Sequence, residues 1–549
     1  MNKIFTLAHD LPSGETLSLE KGAVYHAYQD DCFHLTGYYC SNTAKPHENP
    51  LGERFAAIYL KDKKNITIEG NGAEIIVHGK MTPLVFDRCE NITVRDLQID
   101  YAVPTMAEFT VLENKDGECL IKINPDCRYK IENGVLVWLG EDDAEGRPYW
   151  EDSYIGNRRL HKLFDPETLT TGDFSRYALE FSVIEELEPH LIRATLKDRR
   201  LSLPAGRTMQ SRNIVRDHTG SLFNRCKNLR FENLRVKFMH GLGMVSQFCE
   251  NVAYENCDLT PAPGRTIAST ADFFQFSGCR GLLEVKNCRA RGAQDDYINV
   301  HGTHLRIVEA DRDKNTVLVR FMHNESWGFQ AFDAGDRLEF IRWDTLIPYG
   351  ETFVSAFERI NDTDVLLTLD RPLPEELVVG KDVVENASYT PDLHVSGCYF
   401  GPTSGRGILC TTRGKVVIED NTFEKLWGPA LLLEDDCNFW FESGYTTDIE
   451  FKNNRVLGCD FGITCPGGAV IRYTPKVMDE SSESFVHGKL TVTGNRFEGP
   501  WLGEHVFHLE YLREAVIEDN SFDAPYKIDA VKAVGTVSDK NNSILPIRR

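Results

Sequence analysis

A short motif repeats along the chain, and this repeat constrains the fold more than any other feature of the sequence. Each copy has alternating β-branched or apolar residues and ends in a polar corner that contains Asn, Asp or Gly. Nine copies begin at Lys64, Glu90, Lys227, Glu250, Arg280, Gly414, Thr447, Gly488 and Arg513. The first directly consecutive copies are 23 to 30 residues apart and the later ones 25 to 41, and an interval of about 20–30 residues is typical of stacked solenoids.

One copy is too short to bury its own apolar face, so successive copies must stack to make a continuous core. The copies show few helical patterns, and the repeat therefore predicts an all-β chain folded as a parallel β-helix. A leucine-rich repeat, the obvious rival, would show a fixed Leu spacing and an Asn ladder of another form. The sequence shows neither.

Two long stretches interrupt the repeat, and both contain strand patterns separated by turn signals such as KDGE and DRDKN. Such patterns are typical of antiparallel hairpins, so we predict a small antiparallel β-barrel or sandwich in each stretch. The segment before about Phe55 is expected to cap the first coil, because an open sheet edge invites aggregation. The predicted units are 1–100 (cap and first coils), 101–219 (first insert), 220–302 (central catalytic coils), 303–389 (second insert) and 390–549 (last coils and tail).

The charge balance limits the class of partner. The net charge is −22, with 83 acidic against 61 basic residues, which argues against binding nucleic acid or an anionic membrane surface. No apolar run is long enough for a membrane span or a signal-peptide core, so the expected location is cytoplasmic, or secreted or periplasmic if a signal has been removed. The 15 cysteines include no C-x-x-C pair, and we expect reduced, buried thiols and no metal site.

Three acidic residues lie among aromatic and β-branched residues, where carboxylates are rarely buried unless paired or used. Asp272 precedes Asp295 and Asp296 by 23 and 24 residues, which is one coil. Residues one coil apart lie one above the other at the strand spacing of about 4.8 Å. Gln247 lies 25 residues before Asp272, and His240 precedes it. We therefore predict a column of Gln247, Asp272 and one of the paired aspartates on one outer face.

Carboxylates this close cannot all ionise freely, so at least one pKa should be raised. A protonated carboxyl beside an ionised one is the arrangement that general acid and base catalysis needs, and glycoside hydrolysis uses it most directly. Residues pointing straight out would be about 5 Å apart, near the retaining distance, whereas a diagonal placement would reach the inverting range of about 6.5–9.5 Å. The spacing alone leaves both outcomes open.

Several segments together resemble glycoside hydrolase family 110, which comprises α-1,3-galactosidases, some acting on the blood group B antigen. They are TADFFQFSGC, GAQDDYINVHG, GLGMVSQ and KNITIEGNGAEIIVHGKMTPLVFDRCENITVRDLQIDY. The resemblance extends over nearly the whole chain, including both inserts. It implies a right-handed parallel β-helix and inverting, cofactor- and metal-independent hydrolysis of terminal α-1,3-linked galactose. It also implies that Asp295 is the acid and that Asp272, with Asp296, activates water.

The predicted substrate is a galactose-terminated oligosaccharide or glycoconjugate, and the resemblance together with the protruding inserts is compatible with a homodimer. Residues proposed to contact the sugar are Gln247, His240, Arg265, His301, Arg406 and Trp427. Asp435 and Asp436 form a rival acidic pair, and carboxylate clusters can also bind calcium. The alternatives in function are a polygalacturonase-like or lyase-type enzyme on the same scaffold and a non-catalytic glycan-binding protein.

Overall fold

The computed structural model describes residues 2–153, 159–175, 181–197, 203–213, 215–462, 468–499 and 505–545. Three long sheets of mostly parallel strands run through this part of the chain. The predicted fold class, an all-β, right-handed parallel β-helix with two inserted β domains, is confirmed. Among the described helices, none has the length and apolar character needed to cross a bilayer.

We name the three faces of the solenoid sheets A, B and C. The strands of sheet A are Thr16–Ser18, Lys64–Glu69, Glu90–Arg95, Lys227–Glu232, Glu250–Glu255, Arg280–Lys286, Asp392–Ser396, Lys415–Glu419, Asp448–Lys452, His487–Thr493, Leu512–Glu518 and Thr536–Lys540. The strands of sheet B are Val24–Tyr28, Glu74–His78, Gln98–Tyr101, Arg235–Val236, Asp258–Leu259, Arg289–Ala290, Tyr399–Phe400, Thr422–Glu424, Arg455–Leu457, Arg496–Glu498, Ser521–Phe522 and Ser543–Ile544. The parallel strands of sheet C are Ile58–Lys61, Leu84–Asp87, Ser221–Asn224, Met244–Gln247, Phe274–Ser277, Ile298–Thr303, Ile408–Cys410, Leu431–Leu433, Ile471–Tyr473, His505–Glu510 and Lys527–Lys532, and the short strand Glu442–Ser443 pairs antiparallel to Ile298–Thr303.

The core forms because equivalent residues of successive coils pair in register. In sheet A, Ile66, Ile92, Leu229, Val252 and Leu283 are paired one after another, and all are buried. Alternation along each strand directs every second side chain inward, so the stack buries one continuous apolar column. The cysteines of the described residues are all free thiols, and all but Cys32 are buried.

An asparagine ladder marks one corner in the first half of the solenoid. Asn65, Asn91, Asn228 and Asn251 each have a positive φ of 55° to 58°, a conformation that Asn tolerates better than most residues. Each side-chain amide donates to the carbonyl oxygen of the preceding Asn side chain at 2.8–2.9 Å. The ladder ends at Gly281, where a Cβ would lie 2.2 Å from Asn251 Oδ1.

A second, buried asparagine ladder supports the C-terminal coils. Asn421, Asn454, Asn495, Asn520 and Asn542 follow one another, and each amide donates to the next side-chain oxygen at 3.0–3.1 Å. The same amides also donate to main-chain carbonyls inside the solenoid, for example that of Phe451 at 2.8 Å. These side chains therefore satisfy backbone groups that the turn leaves without partners.

The amino-terminal segment covers the first coil and then reaches the outer face of sheet C. The helix Lys3–Asp10 buries Phe5 and Ala8 in the solenoid core, and Thr16–Ser18 extends sheet A as its first strand. A hairpin follows, formed by Phe33–Leu35 and Arg54–Ala56. The connection between these two strands, residues 36–53, lies against sheet C and contributes to the cavity described below.

The first insert ends shortly before the solenoid strand Ser221–Asn224. The second insert ends shortly before the solenoid strand Asp392–Ser396. The first contains a seven-stranded antiparallel sheet of Thr170–Ser175, Arg159–Asp165, Thr208–Asn213, Ala107–Lys115, Glu118–Ile123, Leu191–Leu196 and Phe181–Glu188, and a smaller sheet of Arg128–Glu132, Val135–Leu139 and Glu151–Ser153. The second is a closed antiparallel barrel of Leu305–Asp311, Thr316–Arg320, Asp364–Leu369, Pro348–Arg359, Arg337–Ile341 and Val383–Asn386.

We expect Asn495→Ala to lower the free energy of unfolding by about 2–4 kcal/mol, because it leaves several buried donors and acceptors unpaired. Asn495 is 1% exposed and bonds to both neighbouring Asn residues. Asn91→Gly is the matched control from the exposed ladder, since glycine keeps the positive φ, and its cost should stay within about 1 kcal/mol. Urea unfolding followed by circular dichroism measures both values, and equal losses would contradict the structural role of the buried ladder.

Candidate active site

Asp272 and Asp296 lie one above the other at the start of two neighbouring strands of sheet C. Phe274 pairs with Ile298, so the residues two positions earlier also face each other. The main-chain N–H of Asp296 donates to Asp272 Oδ1 at 3.2 Å, and the N–H of Phe273 donates to the carbonyl of Asp296 at 3.0 Å. The coil length of 24 residues thus stacks these two carboxylates, and it places Asp295 beside them.

The three aspartates line a cavity of about 70 Å³ on the outer face of sheet C. Most of the side chains around it are charged or carry amides. The lining residues are Asn42, Arg216, Asp272, Asp295, Asp296, Asn299, Arg406, Leu409, Glu434, Asp436, Trp440 and Glu442. They come from the amino-terminal segment, the end of the first insert, the central coils and the coils after the second insert, so the cavity depends on the whole fold.

Two arginines compensate the charge of the acidic cluster. Arg406 forms a fork on Asp296, with Nη2 2.8 Å from Oδ2, and reaches Asp295 at 3.4 Å. Arg216 donates to Asp295 Oδ2 at 2.8 Å. Gly405 allows the Arg406 backbone to come this close, because a Cβ at Gly405 would lie 1.9 Å from the carbonyl oxygen of Asp295.

The three carboxyls differ in their readiness to ionise. Burial and the neighbouring Asp295 and Asp296 raise the pKa of Asp272 well above its usual range. Burial also raises the pKa of Asp296 to about 7, against the opposing pull of Arg406. Burial acts in the same sense on Asp295, but Arg216 and Arg406 outweigh it and hold its pKa below the usual range. The stacked pair therefore binds protons more readily than Asp295, whose surroundings favour the ionised form.

Exposure also separates the three acids. The Asp295 side chain is 28% exposed, whereas Asp272 and Asp296 are 3% and 1% exposed. Asp295 therefore lies nearest the mouth of the cavity, and the stacked pair lies at its base. Asp295 is therefore accessible to a leaving group at the mouth, whereas Asp272 and Asp296 are shielded from solvent.

Asn299 lines the cavity with an amide oxygen that lacks a partner. It is 4% exposed, and its Oδ1 forms no hydrogen bond. In the outward column of sheet C, Asn299 pairs with Gln275 on one side and Leu409 on the other. A buried acceptor without a donor costs about 1–3 kcal/mol, so this oxygen is suited to accept a hydrogen bond from a ligand hydroxyl.

The structure separates Gln247 from the acidic column, and the predicted stacking of Gln247 on Asp272 is wrong. Paired residues of the Gln247 strand and the next strand are 30 residues apart in the chain, not 25, because the connection before Asp272 is longer. Gln247 consequently pairs with Ser277, which in turn pairs with His301. The Gln247 side chain is bonded to the main chain of Tyr39 and Ser41 at 3.0 Å.

Four other predicted sugar ligands lie outside the set of cavity-lining residues, namely His301, His240, Arg265 and Trp427. His301 is 3% exposed and contacts Gln275 at 2.6 Å behind the cavity wall. His240 bonds to Asp217 at 2.6 Å and to Thr105 at 2.7 Å. These contacts hold the first insert and the segment after it to the solenoid.

Arg265 and Trp427 likewise have structural surroundings. Arg265 is paired with Asp100 and Asp126 at 2.6 Å each. Trp427 packs so closely on Gly462 that a Cβ there would overlap the indole.

The rival acidic pair is divided between two environments. Asp435 is bonded to the buried His304 at 3.0 Å, so it does not line the cavity. Asp436 does line it, but its carboxylate accepts main-chain N–H groups from Asn438, Phe439 and Trp440. Of the six predicted sugar ligands, only Arg406 lines the cavity itself.

Sequence patterns did not indicate several of the lining residues. Asn42, Arg216, Trp440 and Glu442 come from connections that follow no repeat, and nothing in the periodicity places them at the site. Asn299 could have been found, because alternation along INV directs it outward from the same strand that follows Asp296.

The three aspartates could also hold a cation, since one oxygen from each lies within 4.8 Å of the others. Oxygen ligands of this kind suit calcium or magnesium. The guanidinium groups of Arg216 and Arg406 already supply positive charge to two of the three carboxyls. The donor set therefore fits charge compensation by arginine without a metal.

Comparison with known proteins links this geometry to one family of enzymes. An alpha-1,3-galactosidase A from Akkermansia muciniphila is 38% identical over 466 residues, which cover 83% of this chain and 73% of that protein. A protein of the same name from Bacteroides fragilis is 36% identical over 84% of this chain and 74% of its own length. An alpha-1,3-galactosidase B from Bacteroides thetaiotaomicron is 31% identical over 88% and 77%.

This chain belongs to the alpha-1,3-galactosidase family. Residues 316–384, which make up most of the closed barrel of the second insert, also match the family model described as GLAA-B beta-barrel domain II. Family membership makes the protein a glycoside hydrolase, and the acidic cavity is the place in this galactosidase-family fold that offers acid and base chemistry.

We expect Arg406→Gln to destabilise this galactosidase-family chain in a pH-dependent manner. Without the guanidinium, ionised Asp296 is buried and unpaired, which costs about 3 kcal/mol. The cost should be largest at pH 8 and should shrink at pH 5, where a carboxyl with a pKa of about 7 binds its proton.

Melting temperatures of the variant and wild type at the two pH values measure this effect. Arg455→Gln is the control, because its side chain is 54% exposed and loss of a surface pair costs less than about 1 kcal/mol. A destabilisation of Arg406→Gln that is the same at both pH values would contradict the proposed charge compensation.

Proposed function

We propose that this protein is a family 110 glycoside hydrolase that removes terminal α-1,3-linked galactose with inversion of configuration. Its substrates would be glycans such as the blood group B antigen and linear α-1,3-galactosides. The observation that carries the proposal is the cluster of three carboxylates in one cavity, with two stacked at its base and one nearest the mouth. The names of the relatives support the linkage and the sugar.

The positions of the carboxyls support the division of roles. A terminal galactose enters the cavity first, so the bond to the next sugar lies toward the mouth, where Asp295 is located. Asp295 would protonate the glycosidic oxygen as the bond breaks. Asp272, helped by Asp296, would take a proton from water that attacks the anomeric carbon from the sheltered side. Asn299 Oδ1 would accept a hydrogen bond from a galactose hydroxyl.

The pKa shifts of the three carboxyls constrain how this reaction starts. Protonation of the leaving group needs a proton on Asp295, whereas the raised pKa values of Asp272 and Asp296 favour protons on the stacked pair. The reactive arrangement therefore has a proton on Asp295 and an ionised carboxylate in the stacked pair. Arg406, which contacts both Asp295 and Asp296, compensates charge in either arrangement.

The stereochemical outcome is proposed from the family resemblance. The nearest oxygens of the three carboxyls lie within 4.8 Å of one another, which is closer to the spacing of about 5 Å in retaining enzymes than to the inverting range. Inversion remains compatible because two of these acids act together on the water. The anomer that is released first decides between the two mechanisms.

Proton NMR of α-1,3-galactobiose during hydrolysis should show galactose released first as the β anomer. Mutarotation then converts it to the equilibrium mixture. The blood group B trisaccharide serves as the second substrate. Release of α-galactose first would refute inversion, and the absence of release from both substrates would refute the proposed activity.

A substrate that needs no acid separates the roles of the carboxyls. We expect Asp295→Asn to turn over galactobiose about 10²- to 10⁴-fold more slowly than the wild type, because this is the usual contribution of a general acid. It should retain most of its activity on α-galactosyl fluoride, because fluoride leaves without protonation. Asp272→Asn should lose activity on both substrates, because the water is no longer activated in either case.

The matched pair of variants provides its own control. Both replace an aspartate by the isosteric amide in the same cavity, and both add an uncharged donor. If Asp295→Asn lost both activities while Asp272→Asn retained the fluoride reaction, the assignment of acid and base would have to be reversed.

A further inference from the structure

Two exposed aromatic residues stand at the catalytic cavity on the loop between Leu431–Leu433 and Glu442–Ser443. Phe439 is 57% exposed and Trp440 is 42% exposed. Trp440 is also part of the cavity lining, where the only other apolar side chain is Leu409, which is 4% exposed. Single exposed apolar residues are normal, but two adjacent exposed rings beside a polar cavity form the kind of apolar patch that marks ligand-binding grooves.

The loop that carries these rings is held rigidly. The buried Asp436 carboxylate accepts N–H groups from Asn438 at 2.7 Å, from Phe439 at 3.0 Å and from Trp440. The main chain closes the loop with a bond from the N–H of Asp436 to the carbonyl of Glu442 at 3.0 Å. The main chain that carries the two rings is therefore held in place by these bonds.

Neighbouring residues of the same loop are buried, so exposure in this part of the loop is confined to the two rings. Cys437 and Phe441 pack against Ile341, Leu346 and Val383 of the second insert and its flanks. The Asn438 side chain donates to the carbonyl of Trp343 at 3.0 Å. The loop thus buries the residues on both sides of Phe439 and Trp440 and leaves these two facing solvent.

His323 of the second insert supports one side of Trp440. The ring centroids are 4.3 Å apart at an angle of 33°. Burial and the nearby Arg216 lower the pKa of His323 to about 4, so the imidazole is neutral at neutral pH. The other side of the indole is available as a flat apolar surface.

We infer that Trp440, with Phe439 beside it, is the platform for the sugar that the galactose is attached to. This inference rests on the proposed function and extends it to the leaving-group side of the site. The apolar C–H face of a pyranose would pack on the open side of the indole while the galactose occupies the charged cavity. Trp440, and not the Trp427 proposed from sequence, thus provides an aromatic surface at the cavity, and its contact with His323 makes the second insert part of substrate selection.

The test compares a substrate that has a leaving sugar with one that has none. In Trp440→Ala, the ratio of kcat/KM for α-1,3-galactobiose to kcat/KM for α-galactosyl fluoride should fall about tenfold or more, the scale of one lost apolar contact. The fall should come mainly from a higher KM for the disaccharide. A ratio equal to that of the wild type would overturn the inference.

Two further variants keep the test informative. Phe439→Ala removes a ring that is 57% exposed, so it should fold and should lower the ratio by a smaller factor. Phe353→Ala, which removes a ring 37% exposed on the barrel, should leave the ratio unchanged. A wild type inactive on both substrates would refute the proposed function itself, whereas an active wild type with unchanged ratios in both loop variants would refute only the platform.

Discussion

In-register pairing of parallel strands from successive coils is the constraint on which the rest of this structure depends. It brings equivalent residues to about 4.8 Å from one another, and it does so for apolar side chains, for asparagines at the corners and for the acids of the site alike. The same rule that makes a continuous core from Ile66, Ile92 and Leu229 therefore forces Asp272 against Asp296. The concentration of charge in the cavity follows directly from the architecture.

Such a concentration of acids is costly unless other groups compensate it, and the fold supplies these groups from outside the repeat. Arg406 arrives on the next coil, where Gly405 permits contact with the backbone of Asp295. Arg216 arrives from the connection that leaves the first insert. The segments that join the two inserts to the solenoid therefore contribute residues to the site that the repeat cannot provide.

How far the sequence could predict this arrangement depended on whether a residue obeyed the repeat. The alternation of side chains is a local property, so it correctly predicted stacked parallel strands with two inserted β domains. The coil length correctly predicted that one of the paired aspartates stacks on Asp272, and the pairing of Phe274 with Ile298 identifies it as Asp296. The same counting failed for Gln247, because a longer connection precedes Asp272 and shifts the pairing by five residues. Trp427 was the tryptophan proposed from sequence, and its packing on Gly462 removes it from the cavity, whereas Trp440 lies on a connection that no repeat places.

Asn42 forms part of the cavity wall, and its amide donates to Glu442, which follows it by 400 residues. The side chain of Ser41 also reaches Ser277 at 2.7 Å. During synthesis, Asn42 leaves the ribosome 400 residues before Glu442, so this wall cannot dock fully until the coils up to Glu442 have been made. Assembly of the cavity is consequently a late event. The amino-terminal segment, which caps the first coil, completes the cavity only after these later coils have formed.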